Sequence, residues 1–230
     1  MDDTSSPAAH PDPLLTAQAY LLDVDGTLVD SNYLHVIAWQ RGLRDADADA
    51  PAASIHAAIG LDSEKLLDRI APDADDEQRD RILSAHSAHY GELSDEVRLL
   101  PGARELLRVL HERGTRVVLA TSAPQEEVDR QLAVLDADQW IDAVTTAEDV
   151  ETAKPEPDVF AVAIERSGVS AQRCVAIGDA RWDIIAAAKA GVAAVAVETG
   201  GTDRAVLAEA GAVSVHRGVQ EIIDLLQHPA

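Results

Sequence analysis

From Pro101-Gly102 onward the chain alternates short apolar runs with segments of helical periodicity, and this alternation limits the fold more than any other feature. Strands are expected at 116–120, 141–145, 174–177, 193–197 and 213–215. Helices are expected up to Arg113 and over 125–135, 157–168, 183–190, 203–210 and 218–227. A strand that reaches its neighbour through a helix makes a crossover, and repeated crossovers require a parallel sheet covered by helices on both faces. Residues 19–24 add one more apolar run of strand length. Between that run and Pro101 the pattern stays helical, over 32–43, 63–70 and 77–90, with no convincing strand. The expected fold class is α/β: a doubly wound parallel sheet with an α-helical unit inserted after its first strand.

That first strand delivers Asp23-Val24-Asp25-Gly26-Thr27, two carboxylates followed by a glycine turn. Alone the pattern is weak, because Asp-Gly is ordinary turn chemistry. Turned toward one pocket, the carboxylates would repel by roughly 4 kcal/mol at about 4 Å and an effective dielectric near 20, so they need a cation or a shared proton. The later runs supply what such a site requires. The run 117–120 ends in Thr121-Ser122, the run 175–177 ends in Gly178-Asp179 with Asp183 following, and Lys154 lies in the loop after the strand near Val144. Ligands of open α/β sheets bind beyond the carboxyl ends of the strands, which is where these residues arrive.

This ordered set resembles the haloacid dehalogenase superfamily of phosphohydrolases over residues 19–226, and within it the phosphoglycolate phosphatase and β-phosphoglucomutase branch. The closer likeness rests on Val29-Asp30-Ser31, His35-Val36-Ile37-Ala38-Trp39 and Gly178-Asp179-Ala180-Arg181-Trp182-Asp183. The resemblance implies a Rossmann-like core over 18–30 and 100–230 and a helical cap over 31–99. Residues 1–17, with three prolines and no periodicity, are expected to be a flexible tail.

The implied activity is that of a magnesium-dependent phosphatase acting on a small phosphorylated metabolite, of the phosphoglycolate or sugar-phosphate kind. In that chemistry Asp23 attacks phosphorus and carries an aspartyl phosphate, while Asp25 protonates the leaving alkoxide and then activates water. Thr121, the Ser122 amide and Lys154 hold the transferring phosphoryl. Mg2+ would be bound by Asp23, the Asp25 backbone carbonyl and Asp179, with Asp183 acting through water or orienting the other ligands. On the cap, the resemblance turns His35 and Lys65 toward substrate, against the plainer readings of a core histidine and a solvated lysine. Trp182 is expected in packing, and His86 and His89 on a solvated face.

Two other functions share these residues. A mutase of the β-phosphoglucomutase type would return the phosphoryl group to its substrate, but that type carries an arginine in the cap loop where Leu61-Asp62-Ser63 stand here. A phospho-accepting signalling module also joins acids, a hydroxyl and a lysine at strand ends, yet it is much shorter and has no helical insertion.

Charge narrows the partners. With 19 basic and 41 acidic residues the formal net charge is −22, which opposes nucleic acid and anionic membranes, since both need basic surface. No apolar run approaches the roughly 18 residues of a membrane span, and residues 1–13 lack the basic and apolar parts of a signal peptide, so a cytoplasmic protein is expected. Cys174 is the single cysteine, expected as a buried strand thiol. Monomer and homodimer both fit.

Overall fold

The computed structural model describes residues 12–229. In chain order the elements begin with α1 (Pro13–Thr16), β1 (Ala19–Leu22), β2 (Val29–Asp30), α2 (Asn32–Asp45), α3 (Ala52–His56), α4 (Ser63–Ile70), α5 (Asp76–Leu93) and β3 (Arg98–Leu99). The alternating part follows: α6 (Ala103–Glu112), β4 (Arg116–Ala120), α7 (Gln125–Leu135), β5 (Ala143–Thr145), α8 (Asp158–Ser167) and β6 (Cys174–Gly178). It closes with α9 (Arg181–Lys189), β7 (Ala193–Val197), α10 (Arg204–Glu209), β8 (Ser214–His216) and α11 (Val219–Gln227). No helix among the described residues is long and apolar enough to cross a membrane.

Six strands form one parallel sheet in the order β5-β4-β1-β6-β7-β8, the doubly wound arrangement expected. β1 lies between β4 and β6, and its last residue, Leu22, pairs with Leu119 on one side and Ile177 on the other. The loops that leave these three strands therefore start level with one another. The central strands are buried on both faces, which is why they read as unbroken apolar runs. Tyr20, Leu22, Val117, Leu119, Val175 and Ile177 face a core closed by α6 and α11. Ala19, Leu21, Val118, Ala120, Cys174 and Ala176 point the other way, against α8 and α9.

The helical insertion, α2 to α5, has its own core, built on Trp39, Leu43, Ile55, Leu67 and Ile82. At Gly42 helices α2 and α5 approach so closely that a Cβ would lie 2.9 Å from the His86 backbone nitrogen. Ala180 and Trp182, from the start of α9, pack into this same core, and the Arg69 guanidinium sits 4.5 Å from the Trp182 ring centroid. Trp182 is packing, as expected, and it seats the insertion on the sheet unit. His86 departs from the solvated face expected for it: its ring stacks on Trp39 at 4.0 Å between centroids. His89 is half-buried and bonds Asp45 at 2.7 Å.

Two more expectations give way to tertiary contacts. β2 and β3 pair antiparallel, Val29 with Leu99 and Asp30 with Arg98, making a ribbon through which the chain enters and leaves the insertion. Each strand has two residues, too few to show a period in the sequence. Of the tail expected over 1–17, residues 1–11 lie outside those described, while Pro13–Thr16 is a helical turn. Asp12 caps it by accepting from the Leu14 amide at 2.9 Å, Leu14 is fully buried, and the Tyr20 hydroxyl donates to the Leu14 carbonyl. One apolar side chain with a seat in the core outweighs a proline-rich composition.

Candidate active site

The ends of β1 and β6 build the centre of the site. The Asp23 amide donates to the Ile177 carbonyl at 2.9 Å, extending the ladder one residue past β1 and setting Asp23 beside Gly178 and Asp179. Gly26 then turns the chain at φ 71°, and a Cβ there would fall 2.5 Å from Asp179 Oδ2. Gly200 comes nearer still, since its Cβ would stand 1.6 Å from the same oxygen. Backbone without side chains thus wraps the Asp179 carboxylate.

Three carboxylates and one ammonium converge there, all buried. Lys154 Nζ donates to Asp23 and lies 2.7 Å from Asp183 Oδ1, while Asp183 Oδ2 accepts from the Ala180 amide at 2.9 Å. Asp179 accepts from Thr27 Oγ1 at 3.1 Å and from Asn32 Nδ2 at 2.9 Å. Oxygens of Asp23, Asp179 and Asp183 all lie within 4.8 Å of one another. Burial pushes the Asp23 carboxyl up to about 7, with the Asp183 and Asp25 charges adding to the rise and Lys154 opposing it. Burial, with Asp183 and Asp23, likewise raises Asp179 well above the carboxylate range. Burial alone would lower Lys154, but the Asp183 and Asp23 charges outweigh it and raise the ammonium instead. One cation against three acids leaves an excess of negative charge in an all-oxygen donor set, which fits a hard divalent cation.

The Asp25 carboxylate faces elsewhere. It accepts from Ser31 Oγ and, through both oxygens, from Gln131 Nε2 at 2.9 Å. His35 Nε2 lies 3.7 Å from Asp25 Oδ1 and 3.1 Å from Glu127 Oε1, and the His35 ring stacks on Tyr90 at 3.9 Å. Burial would raise Asp25, but the bond and charge of His35, with Ser31 and Gln131, hold it below the usual range. Burial would lower His35, and the Glu127 and Asp25 carboxylates overcome that and lift it to about 10. The crowded pair expected from the sequence is therefore resolved: Asp23 is matched by Lys154, and Asp25 by His35 and two neutral donors. The Asp25 side chain is not part of the Asp23, Asp179 and Asp183 cluster.

Every residue selected from the sequence lines one cavity of about 750 Å³: Asp23, Asp25, Thr121, Ser122, Lys154, Asp179 and Asp183 from the sheet unit, and His35 and Lys65 from the insertion. Thr121 is buried, its hydroxyl accepting from the Ala123 amide at 3.0 Å. Lys65 is not simply solvated: Nζ donates to the Ala153 carbonyl, next to Lys154, at 3.1 Å. Sequence reasoning did not place Thr27, Asn32, Gln131 or Glu127 in the site. Glu127 and Gln131 stand at i, i+4 on α7, a spacing that shows they share a face but not what that face meets.

The fold and this cavity define a parallel α/β protein with a candidate site at the strand ends. The chain belongs to the haloacid dehalogenase-like hydrolases, whose family pattern it matches over residues 20–197. It is a phosphoric monoester hydrolase of the phosphoglycolate phosphatase and β-phosphoglucomutase-like branch. It is similar to a phosphorylated carbohydrates phosphatase from Thermotoga maritima, 27% identical over 91% of this chain and 98% of the relative. A phosphoglycolate phosphatase from Escherichia coli is 30% identical over 77% and 80% of the two chains. Among solved structures, a hydrolase from Pseudomonas syringae has a TM-score of 0.87 at 32% identity, covering 93% of this chain and 99% of the other.

Proposed function

We propose that the protein hydrolyses a small phosphate monoester with magnesium, through an aspartyl phosphate on Asp23. The observation that carries this is the buried cluster of Asp23, Asp179 and Asp183 beside Lys154, because such an excess of carboxylate, when ionised, calls for a further cation and lies where α/β sheets bind ligands. Asp23, Asp179 and the Asp25 carbonyl would hold Mg2+, with Asp183 acting through water. When bound, the ion offsets the carboxylates and polarises a phosphoryl oxygen.

Asp23 attacks phosphorus, and the alkoxide leaves. Lys154, the Thr121 hydroxyl and the Ser122 amide hold the phosphoryl oxygens, where charge stabilisation supplies most of the rate. Asp25, ionised in its bonds to Ser31, Gln131 and His35, is in the state that takes a proton from the hydrolytic water. To protonate the alkoxide it must first gain a proton, and charged His35 stands beside it at 3.7 Å. The insertion acts as a cap over 31–99 on a core of 18–30 and 100–230, moving about the β2–β3 ribbon and shutting out bulk water. The names of the similar phosphatases support a small phosphorylated metabolite as substrate. A panel of phosphate monoesters assayed with magnesium and with chelator tests the proposal: turnover should require the metal, and full activity in metal-free enzyme would overturn it.

A further inference from the structure

The cavity carries more information about the substrate than its reaction centre does. Nine carboxylates and three full cations line it. Each cation is already held: Lys154 by Asp23 and Asp183, Lys65 by Asp62 at 3.1 Å and the Ala153 carbonyl, and Arg130 by Glu126. The His35 imidazole is shared between Asp25 and Glu127. A second negative group on the substrate, remote from the phosphate, would find no unpaired cation among these cavity-lining groups, and several carboxylates at short range. Hydroxyl groups meet the opposite situation, since carboxylates accept their hydrogens without cost in charge. The volume of about 750 Å³ also exceeds what a two-carbon acid fills.

We propose that the natural substrate is a hydroxyl-rich, carboxylate-free phosphate ester of sugar size, and that the Glu126–Arg130 pair is the selector against acids. This deepens the phosphatase reading and rests on it. Glu126 engages Arg130 one helical turn away on α7, beside Glu127, so an incoming carboxylate has to compete with Glu126 for the guanidinium and sit next to Glu127. A neutral polyol leaves the pair intact.

The test compares glucitol 6-phosphate with 6-phosphogluconate, six-carbon esters that differ at the terminal carbon, together with phosphoglycolate and p-nitrophenyl phosphate, all with magnesium. The expected kcat/KM for glucitol 6-phosphate exceeds that for either acid by about tenfold or more. Glu126→Gln should release Arg130 and narrow the ratio, chiefly by lowering KM for 6-phosphogluconate. A wild-type preference for either acid overturns the substrate assignment, and an unchanged ratio in Glu126→Gln overturns the selector. Failure to turn over any of the four esters overturns the phosphatase reading itself, an outcome distinct from hydrolysis with the wrong preference.

Discussion

Lys154 Nζ lies 2.7 Å from Asp183 Oδ1 while donating to Asp23, so a single buried ammonium holds two buried carboxylates, one just past β1 and one in the first turn of α9. Asp179 completes the acidic group without a cation of its own, relying on Thr27 and Asn32. The arrangement explains both why the site can fold before a metal arrives and why it should bind one.

Removing that ammonium should be costly. Lys154→Met leaves two buried carboxylates unpaired, a loss of about 3–5 kcal/mol for breaking a buried ion pair. For a chain of this size that corresponds to a fall in Tm of about 10 °C, measured in chelator, with partial recovery on adding magnesium. A fall of less than about 3 °C would show that the pair contributes little.

The metal-free protein should lose stability as pH rises. Asp23 and Asp179 are both raised in the folded state, so their contribution is complete below the ordinary carboxylate range and is lost as pH rises above it, for Asp23 through about 7. Magnesium binds the ionised forms and reverses the penalty. The difference in Tm between magnesium and chelator should therefore be larger at about pH 8 than at about pH 5. An equal or smaller difference at the higher pH would contradict the cluster as the metal site.

The two motif aspartates should fail differently. Asp23→Asn removes the nucleophile, so neither turnover nor a phosphorylated intermediate should be detected in rapid-quench assays. Asp25→Asn keeps the nucleophile and should lower kcat by about 10²–10⁴, the usual contribution of a general acid–base. Near-normal kcat in Asp23→Asn would reverse the roles.

Gly200→Ala probes the cradle around Asp179. The added Cβ would stand 1.6 Å from Asp179 Oδ2 and 2.6 Å from Asn32 Nδ2, so the carboxylate must move. The magnesium concentration needed for half-maximal activity should rise at least about tenfold, with overpacking of about 1–3 kcal/mol in stability. An unchanged magnesium dependence would show that Asp179 is not a ligand.

Much of this protein is written locally. Apolar runs that end in Asp23, Thr121 and Asp179 are strand signals followed by chemistry, and the crossover rule then places them at one sheet edge without further information. Lys154 lies in the loop after β5, on the same side of the sheet. Expectation and structure part where a contact spans the chain. Leu14 is ordered by a core it meets only after folding, and β2 and β3 are too short to show a pattern until they pair.

By itself the sequence determined the parallel sheet, the helical insertion and the arrival of Asp23, Thr121 and Asp179 at strand ends, because periodicity and turn chemistry act between near neighbours. The tertiary structure alone decided which partner each aspartate takes: Asp23 meets Lys154 131 residues away, Asp25 meets Gln131 across 106, and Asp179 meets Asn32 across 147. Those pairings set charge and proton affinity through burial and distances of a few ångströms, quantities that exist only once remote segments are packed together.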